Sequence, residues 1–320
     1  MEVLVTGATG KVGNAVARAL VDRGDRVRAL VRDPDRARPL LPGGVGLVRG
    51  DVTDPFSVRA AARGCELVFG AHGLPEQWLA DVSMFDRVNA RGAEAVALAA
   101  RAAGARRFVH TSTIDVFHAE RGGRFDESRV ADYPKGTAYE RSKQRGEQLV
   151  LATRADGFEV VCVNPSGVYG PGPAATASID GELFRPIIEG KLPALPPGGL
   201  GVVYVDGVAR GELLAADHGA DGERYILSDR HVTLRALAEA VVRAAHRGRV
   251  PPTLPVPVAR TLAAAGEPLS RIVGAAPLLP RGQFDFFAWD AAPDSGKAHD
   301  ELGWVPTLLD DGVAASVAAL

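Results

Sequence analysis

The sequence predicts an α/β protein with a doubly wound parallel sheet and a smaller C-terminal α/β lobe. Three observations lead to this prediction. Short apolar segments alternate with amphipathic helical segments along the first half of the chain. The short segments are almost continuously hydrophobic, as expected of strands that helices cover on both faces. The chain has 320 residues, enough for one large domain or two ordinary ones.

The individual elements follow from the two hydrophobic periods. The strand-like segments are EVLVTG, RVRALVR, GLVRGD, ELVFGA, RFVHTST and EVVCVNP. KVGNAVARALVDRG has an apolar stripe of helical period, which we expect Gly24 to end, and SMFDRVNARGAEAVALAARAAG predicts a second long helix. After Asn164 the chain becomes rich in Gly and Pro, which indicates the crossing into the smaller lobe, where TLRALAEAVVRAAHRG predicts an amphipathic helix.

The domain boundaries are predicted from the same reading. GVVYVDGVARGELLAA predicts a strand and a helix that return to the first sheet. We therefore assign residues 1–165 and about 201–220 to the large domain, and residues 166–200 and 221–320 to the lobe.

Composition narrows the class of protein. The formal net charge of -2 offers no general attraction to nucleic acid or to an anionic membrane. No apolar run approaches the ~20 residues that span a bilayer, and the strand-like start MEVLVTG leaves no room for a signal peptide. Cys65 and Cys162 lie in apolar segments, which indicates buried, reduced thiols. We expect a cytoplasmic protein without a nucleic-acid, membrane or metal partner.

A glycine pattern joins the first strand to the first helix. Gly7, Gly10 and Gly13 form G-x-x-G-x-x-G in VLVTGATGKVGNAV. Glycines permit a tight turn and a close backbone approach, and the helix N-terminus offers free N–H groups to a pyrophosphate. Between a strand and a helix this pattern favours a dinucleotide site over a purely structural turn.

The end of the second strand indicates which nicotinamide nucleotide binds. NAD sites usually place an acidic residue there for the ribose hydroxyls. In VRALVRDPDRAR the strand ends at Arg32, with Arg36 and Arg38 close behind, and a guanidinium suits the 2′-phosphate of NADP. NADP (NADPH) is favoured over NAD, which Asp33 leaves open. Asp51 is either a partner for the adenine or an N-cap of the following helix.

The segments TGATGKVG, HTST and YERSK, in this order, resemble the extended short-chain dehydrogenase/reductase family. VNARGAEAVALAARAAGARRFVHTST, NPSGVYGPG, VVYVDGVA and SGKAHDELGW also look like segments of that family, so the resemblance covers nearly the whole chain. It implies a Rossmann-type domain, a substrate-binding lobe and NAD(P)-dependent oxidoreduction at CH–OH or C=O groups. The branch with dihydroflavonol reductases and 3β-hydroxysteroid dehydrogenases looks closest.

The resemblance implies that a hydroxyl residue, a Tyr and a Lys four residues further on carry the chemistry. These roles fall on Thr113, Tyr139 and Lys143, with Ser112 as the competing hydroxyl. A capping-box pattern starts the helix just before Tyr139, so the Tyr and the Lys share one helix face. Tyr139 would protonate the substrate oxygen, and Lys143 would lower the pKa of that phenol and hold the nicotinamide ribose. Thr113 would hydrogen-bond the substrate oxygen.

Further contacts are predicted at the carboxyl ends of the strands, where open α/β sheets bind their ligands. Nucleotide contacts are predicted for Gly7, Thr9, Gly10, Lys11, Val12, Arg32, Asp51, Val52, Ser112, Tyr139, Lys143, Pro165 and Val168. Substrate contacts are predicted for Glu76, Gln77 and Trp78 and, as weaker candidates because such aromatics are more often core, for Phe117, Tyr169, Phe184 and Tyr204. His72 and His110 are not expected to be catalytic.

The substrate class rests on what the family's sugar-nucleotide members carry. They tend to have an Asn soon after the YGPG loop and an Arg before the VVYVDGVA strand; this chain has neither, and only Arg185 and Lys191 could substitute. We therefore expect an NADPH-dependent reductase of a nonpolar or aromatic carbonyl compound without a phosphate. A sugar-nucleotide epimerase or dehydratase, and a redox-sensing nucleotide-binding protein, are the alternatives. The oligomeric state stays open, a homodimer included.

Overall fold

A computed structural model describes residues 1–76, 79, 81–173, 178–273 and 281–320, without the side chains of residues 266–273, 281 and 283. The strands are β1 Glu2–Thr6, β2 Arg26–Val31, β3 Gly46–Arg49, β4 Leu67–Gly70, β5 Arg107–Thr111, β6 Arg124–Phe125, β7 Glu159–Pro165, β8 Gly167–Tyr169, β9 Gly199–Tyr204, β10 Arg224–Leu227, β11 Arg230–Thr233 and β12 Ala292–Pro293. The α-helices are α1 Lys11–Asp22, α2 Pro34–Ala37, α3 Pro55–Ala62, α4 Ser83–Phe85, α5 Ala93–Ala102, α6 Ala138–Leu151, α7 Arg185–Ile188, α8 Val205–His218, α9 Leu234–Ala245, α10 Val256–Val273, α11 Arg281–Trp289, α12 Gly296–Leu302 and α13 Leu309–Ala318.

Seven parallel strands form the central sheet, in the order β10-β7-β5-β4-β1-β2-β3. The chain starts in the middle at β1, builds outward to β3, and then returns to build the other half from β4. The predicted doubly wound, Rossmann-type α/β fold is therefore confirmed. The reversal of direction lies between β1 and β4, and ligands of such sheets bind outside the carboxyl ends of the strands at this point.

Helices cover both faces of the central sheet. Helices α1 and α8 pack together on one face, and α3, α5 and α6 form the layer on the other. The apolar stripe predicted for the first helix is buried, and Gly24, at φ +90°, follows its end as expected. A π-helical segment, Asp86–Gly92, joins α4 to α5 into the second predicted helix. Strands with both faces covered explain the continuous hydrophobicity of β4 and β5.

A three-stranded sheet, in the order β11-β9-β8, forms the core of the smaller lobe together with α7, α9 and α13. The prediction that β9 returns to the central sheet is wrong, although α8, which follows it, does pack against α1 and β7. Strand β10 lies in the range assigned to the lobe, yet it forms an edge of the central sheet beside β7. The complete boundary between the two domains stays a prediction.

Two smaller expectations concern cysteines and membranes. Cys65 and Cys162 are buried and free, as predicted. Within the described ranges, no helix is long and apolar enough to cross a membrane.

Helix α6 approaches the segment Asp86–Gly92 with no side chain between the two backbones at one point. A Cβ atom on Gly146 would lie 2.6 Å from the carbonyl oxygen of Asn89. Asn89 itself is buried, and its amide hydrogen-bonds Leu74 and Ser142, so the segment is held in place. Glycine at position 146 thus sets how closely α6 lies against its neighbour.

We expect Gly146→Ala to lower the free energy of unfolding by about 1–3 kcal/mol, because the new methyl group must displace packed backbone. At an exposed helix position the same change would instead stabilise by up to about 1 kcal/mol. Gly207→Ala in α8 is the matched control, since its Cβ would meet only ordinary contacts, the nearest at 3.4 Å from the Thr307 hydroxyl. Urea denaturation measures both variants. Equal stability of Gly146→Ala and the wild type would contradict the close approach.

Candidate active site

The glycine loop between β1 and α1 packs closely against neighbouring backbone atoms. Gly7 has φ +72°, and a Cβ atom there would lie 2.5 Å from the carbonyl oxygen of Ala71. A Cβ atom on Gly13 would lie 2.3 Å from the carbonyl oxygen of Gly7, and the Gly10 N–H donates to that same oxygen at 2.8 Å. A side chain would therefore fill the turn. The loop and the first turn of α1 fit a dinucleotide pyrophosphate.

Lys11 connects the glycine loop to the chain that follows β8. Its ammonium group donates to the Gly170 carbonyl and pairs with the Asp180 carboxylate at 2.5 Å. The same carboxylate accepts the Gly170 N–H at 2.9 Å and 3.1 Å. The amine of this predicted nucleotide contact is therefore already engaged by Asp180. No local pattern around Lys11 predicted that partner, which lies 169 residues away.

Arg32 and Asp33 lie directly after β2, where the nucleotide specificity is predicted. The Asp33 carboxylate caps α2 by accepting the N–H groups of Asp35 and Arg36, both at 3.1 Å. Arg32 and Arg36 are exposed. The acidic residue thus has a structural partner of its own, while two guanidinium groups remain at the surface.

Asp51 lies just beyond the end of β3. Its carboxylate accepts the N–H of Thr53 at 2.9 Å and the Thr53 hydroxyl at 2.7 Å. The alternative role as an N-cap of α3 is wrong, because Asp54 caps that helix by accepting the Phe56 N–H. Burial raises the pKa of the Asp51 carboxyl, but the bonds from Thr53 outweigh it and leave the pKa lowered.

The helix with the predicted catalytic pair begins as expected. The Thr137 hydroxyl accepts the Glu140 N–H at 3.1 Å, and the Glu140 carboxylate accepts the Thr137 N–H at 2.7 Å. This capping box starts α6 immediately before Tyr139. Tyr139 and Lys143 consequently lie one turn apart on the same face, with Gly146 further along it.

The structure brings Thr113, Tyr139 and Lys143 to one place at the carboxyl end of β5. The Thr113 side chain lies beside the Tyr139 phenol. The buried Lys143 ammonium donates to the Thr111 carbonyl oxygen at 3.0 Å. The competing hydroxyl, that of Ser112, is buried and has no hydrogen-bond partner among the described residues. The geometry therefore favours Thr113.

The charge around Tyr139 differs from the expectation. Burial raises the pKa of the phenol well above its usual value, and the carboxylates of Asp115, Glu76 and Glu140 raise it further. The hydrogen bond from Thr113 lowers it only in part. The pKa of the phenol is raised overall, because burial and the negative charges prevail; the separate lowering by Lys143 stays a prediction.

The pKa of the Lys143 ammonium group is shifted in the opposite direction. Burial lowers the pKa of its ammonium group to about 8, against the opposing attraction of Glu147, Asp115 and Glu212. Glu147 is itself fixed by the Asn164 amide at 3.0 Å and by the Arg224 guanidinium. The lysine therefore stays mostly protonated at neutral pH within the protein interior.

Asp115 is a residue of the site that the sequence reading missed. The Thr113 hydroxyl donates to its Oδ2 at 2.8 Å, and the Asp115 N–H donates back to the Thr113 oxygen at 3.3 Å. Burial raises the pKa of the Asp115 carboxyl to about 6, and the Glu140 carboxylate contributes. The signal was present in TSTID, because a Thr followed two residues later by a polar residue is a common local turn pattern.

Glu76 lies at the opening of the site. Although the residue as a whole is exposed, its carboxylate accepts the Thr137 hydroxyl at 3.3 Å and lies against Gly282. Burial of the carboxyl raises its pKa to about 7, and Asp115 and Glu140 add to the effect. Gln77 and Trp78, its predicted companions, lie outside the described residues.

Most of the aromatic candidates belong to the core. Phe117, Tyr169 and Phe184 have no exposed surface, and their rings pack on neighbouring aromatic rings. We correct the prediction for these three: they are packing residues. Tyr204 is partly exposed, with its ring centroid 5.7 Å from that of Tyr169, and its substrate contact stays a prediction.

The remaining candidates lie near the same edge or on the outer surface. Pro165 ends β7 and Val168 lies in β8; Thr9, Val12 and Val52 are partly exposed around the glycine loop and the end of β3. Arg185 and Lys191 are exposed, and Lys191 pairs with Glu189 at 2.9 Å.

Both histidines near the site are buried. Burial lowers the pKa of His72 to about 3 and that of His110 well below its usual value, so both rings are neutral. The His72 Nδ1 lies 2.7 Å from the Thr6 hydroxyl.

Comparison with known proteins places the chain in a family. The model of the NAD dependent epimerase/dehydratase family matches residues 3–228. Sterol demethylase protein B of Methylococcus capsulatus is 30% identical over 99% of this chain and 98% of its own length. A ketoreductase of Stigmatella aurantiaca, named for 4-hydroxy-2-methyl-3-oxo-4-farnesyl-3,4-dihydroquinoline-1-oxide, is 31% identical over 95% of this chain and 92% of its own.

A solved structure agrees with these relatives. The crystal structure of gox2253 superposes with a TM-score of 0.83 at 31% identity, covering 99% of this chain and 97% of its own. The predicted resemblance to the extended short-chain dehydrogenase/reductases is thereby confirmed. The chain belongs to the NAD dependent epimerase/dehydratase family and is an NAD(P)-dependent oxidoreductase.

Proposed function

We propose that this protein is an NADPH-dependent ketoreductase that reduces a nonpolar or aromatic carbonyl compound without a phosphate group. The observation that carries the proposal is the proximity of Thr113 to the Tyr139 phenol, next to a buried lysine at the carboxyl edge of the sheet. A cytoplasmic location is part of the same proposal and rests on the sequence alone; the oligomeric state stays open, a homodimer included.

The bound nicotinamide supplies a hydride to the carbonyl carbon. Tyr139 gives its phenolic proton to the carbonyl oxygen as the general acid. Thr113 stands beside the phenol, in position to hydrogen-bond the same oxygen. Lys143 keeps a positive charge near the reacting oxygen, anchored through the Thr111 carbonyl. The chain's own residues thus provide orientation, a proton and charge stabilisation.

The raised pKa of the Tyr139 phenol keeps the proton donor protonated at neutral pH. A phenol with a raised pKa keeps its proton at neutral pH and cannot serve easily as a base for alcohol oxidation. An alkoxide that forms on the substrate is a far stronger base than the phenolate, so it takes the proton as the hydride arrives. Burial therefore leaves the phenol in the protonated form that a general acid needs.

The charges near Tyr139 support an uncharged substrate. Asp115, Glu76 and Glu140 surround the phenol, and the Glu140 carboxylate alone would already repel a phosphate-bearing substrate there. The basic residues that could have bound a diphosphate, Arg185 and Lys191, lie exposed on the outer surface. A relative named as a ketoreductase, with a farnesylated ring substrate in its name, agrees with this class.

The preference for NADPH rests on the residues after β2. Asp33 is occupied as a helix cap, whereas Arg32 and Arg36 have exposed side chains that suit a 2′-phosphate.

We expect Tyr139→Phe to reduce kcat for ketone reduction by about 10²–10⁴-fold, because the general acid is removed while the ring is retained. NADPH binding, followed by nucleotide fluorescence, should change little. The assay is NADPH oxidation with a panel of ketones and aldehydes, alongside thermal shift with UDP- and dTDP-sugars. Undiminished turnover in Tyr139→Phe, or stabilisation by a sugar nucleotide alone, would overturn the proposed function.

We expect Arg32→Ala to lower the ratio of kcat/KM with NADPH to kcat/KM with NADH by about 10–100-fold, the effect of losing a charge-assisted hydrogen bond of about 1.5–3 kcal/mol. Arg26→Ala is the matched control. Arg26 is the first residue of the same strand, at the amino end far from Arg32, and its guanidinium lies 3.8 Å from the Glu2 carboxylate. A ratio that is the same in both variants would remove the argument for NADPH.

A further inference from the structure

The Thr113 hydroxyl has more hydrogen-bonding neighbours than its single proton can serve. It donates to Asp115 Oδ2 at 2.8 Å and accepts the Asp115 N–H at 3.3 Å, and the Tyr139 phenol lies beside it. A hydroxyl group has one proton and two acceptor lone pairs. With the proton on the Asp115 side, the lone pairs are taken by the Asp115 N–H and by the phenol O–H.

This arrangement conflicts with the role that reduction needs. An ionised Asp115 can only accept, so it holds the Thr113 proton away from the substrate oxygen. Tyr139 then donates to Thr113, and its proton is also directed away from the substrate. A protonated Asp115 reverses this series of hydrogen bonds, because its O–H can donate to the Thr113 oxygen and leave the Thr113 proton free.

We propose that Asp115 is a positioning residue for the reduction: its protonation state decides whether Thr113 donates to the substrate oxygen or to the Asp115 carboxylate. The inference rests on the proposed reductase function and deepens it. The active form is the one with a neutral Asp115, in which Thr113 and Tyr139 both direct a proton at the same oxygen. No group other than these three changes its partners.

The surroundings of Asp115 favour the neutral form more than water does. Its Oδ1 is buried and has no hydrogen-bond partner in the part of the chain that the structure describes, which disfavours the ionised carboxylate. The titratable groups that act on Asp115 or are acted on by it are Glu76, Lys135, Tyr139, Glu140 and Lys143. Burial and the Glu140 charge raise the pKa of the carboxyl to about 6, against the bond from Thr113 and the two lysines.

Lys135 limits the rise in the pKa of Asp115. It is buried, donates to the Phe117 carbonyl at 3.1 Å, and lies 4.6 Å from the centre of the Trp289 ring. Its position is therefore fixed, and its positive charge lowers the pKa of Asp115 while Glu140 raises it. Opposed charges of this kind leave the carboxyl able to change state near neutral pH.

The first test is the pH profile of NADPH-dependent reduction. In the wild type, kcat/KM should rise as the pH falls through the pKa of Asp115, by up to about tenfold per pH unit above it. Asp115→Asn is neutral at every pH and can donate to Thr113, so this limb should disappear. Asp115→Ser, also neutral but smaller, repeats the test if the first variant folds poorly. A limb that persists in either folded variant overturns the proposal.

Glu76 provides the matched control, because the pKa of its carboxyl is also raised, to about 7. Glu76→Gln should keep the fall of kcat/KM at pH values above the pKa of Asp115. So should Asp126→Asn, which changes an exposed carboxylate that accepts the Ser128 N–H away from the site. Loss of the limb in Glu76→Gln with retention in Asp115→Asn would assign the titration to Glu76 and overturn the proposal.

The second test needs no substrate. NMR of tyrosine labelled with ¹³C at the ring carbon beside the oxygen follows ionisation of the phenol, and the Tyr139 signal is the one missing in Tyr139→Phe. In Asp115→Asn the phenol should ionise at least about one pH unit lower than in the wild type, because a negative charge is lost and Thr113 can donate to the phenolate. Coincident titration curves overturn the proposal.

The two tests separate this inference from the proposed function. If no carbonyl compound is reduced but the Tyr139 titration moves in Asp115→Asn, the reductase proposal fails and the coupling stands. If ketones are reduced while Asp115→Asn changes neither the pH dependence of kcat/KM nor the titration of the Tyr139 phenol, the reductase proposal stands and the role of Asp115 is wrong.

Discussion

The close approach of α6 to the segment Asp86–Gly92 determines where the reacting groups lie. At Gly146 the two backbones meet without an intervening side chain, and the capping box at Thr137 determines where the helix begins. Tyr139, in the first turn, then meets Thr113, and Lys143, one turn later, meets the Thr111 carbonyl. Because β5 is paired on both sides, with β4 and β7, its carboxyl end offers a fixed partner to that helix face.

Burial has the same consequence for both members of the pair on α6. Removal from water disfavours the charged form of any group, so it raises the pKa of the Tyr139 phenol and lowers that of the Lys143 ammonium. The carboxylates then differ: those nearest the phenol keep its proton on, and Glu147 and Glu212 preserve the charge of the lysine. A neutral phenol beside a mostly protonated amine is the combination that a proton donor requires.

The sequence predicted what depends on local spacing. Residues only a few positions apart determine four features: the glycine loop, the parallel strands, the capping box and the shared face of Tyr139 and Lys143. The position of β9 was not predictable in this way, because its residues are buried on both faces and would look the same in either sheet. The ion pair of Lys11 with Asp180 and the carboxylates around Tyr139 join distant parts of the chain, and only the folded structure brings them together.

The small net charge of -2 conceals an unequal distribution along the binding edge. Arg32 follows β2, whereas Asp115 lies just beyond β5, and β1 and β4 stand between these strands. Three strand spacings amount to about 14 Å, more than the screening length of about 8 Å at physiological ionic strength. The basic end and the acidic end are therefore separate parts of the binding edge. A ligand with phosphate at one end and a neutral reactive group at the other is favoured in one orientation only, which is a consequence of strand order rather than of any single contact.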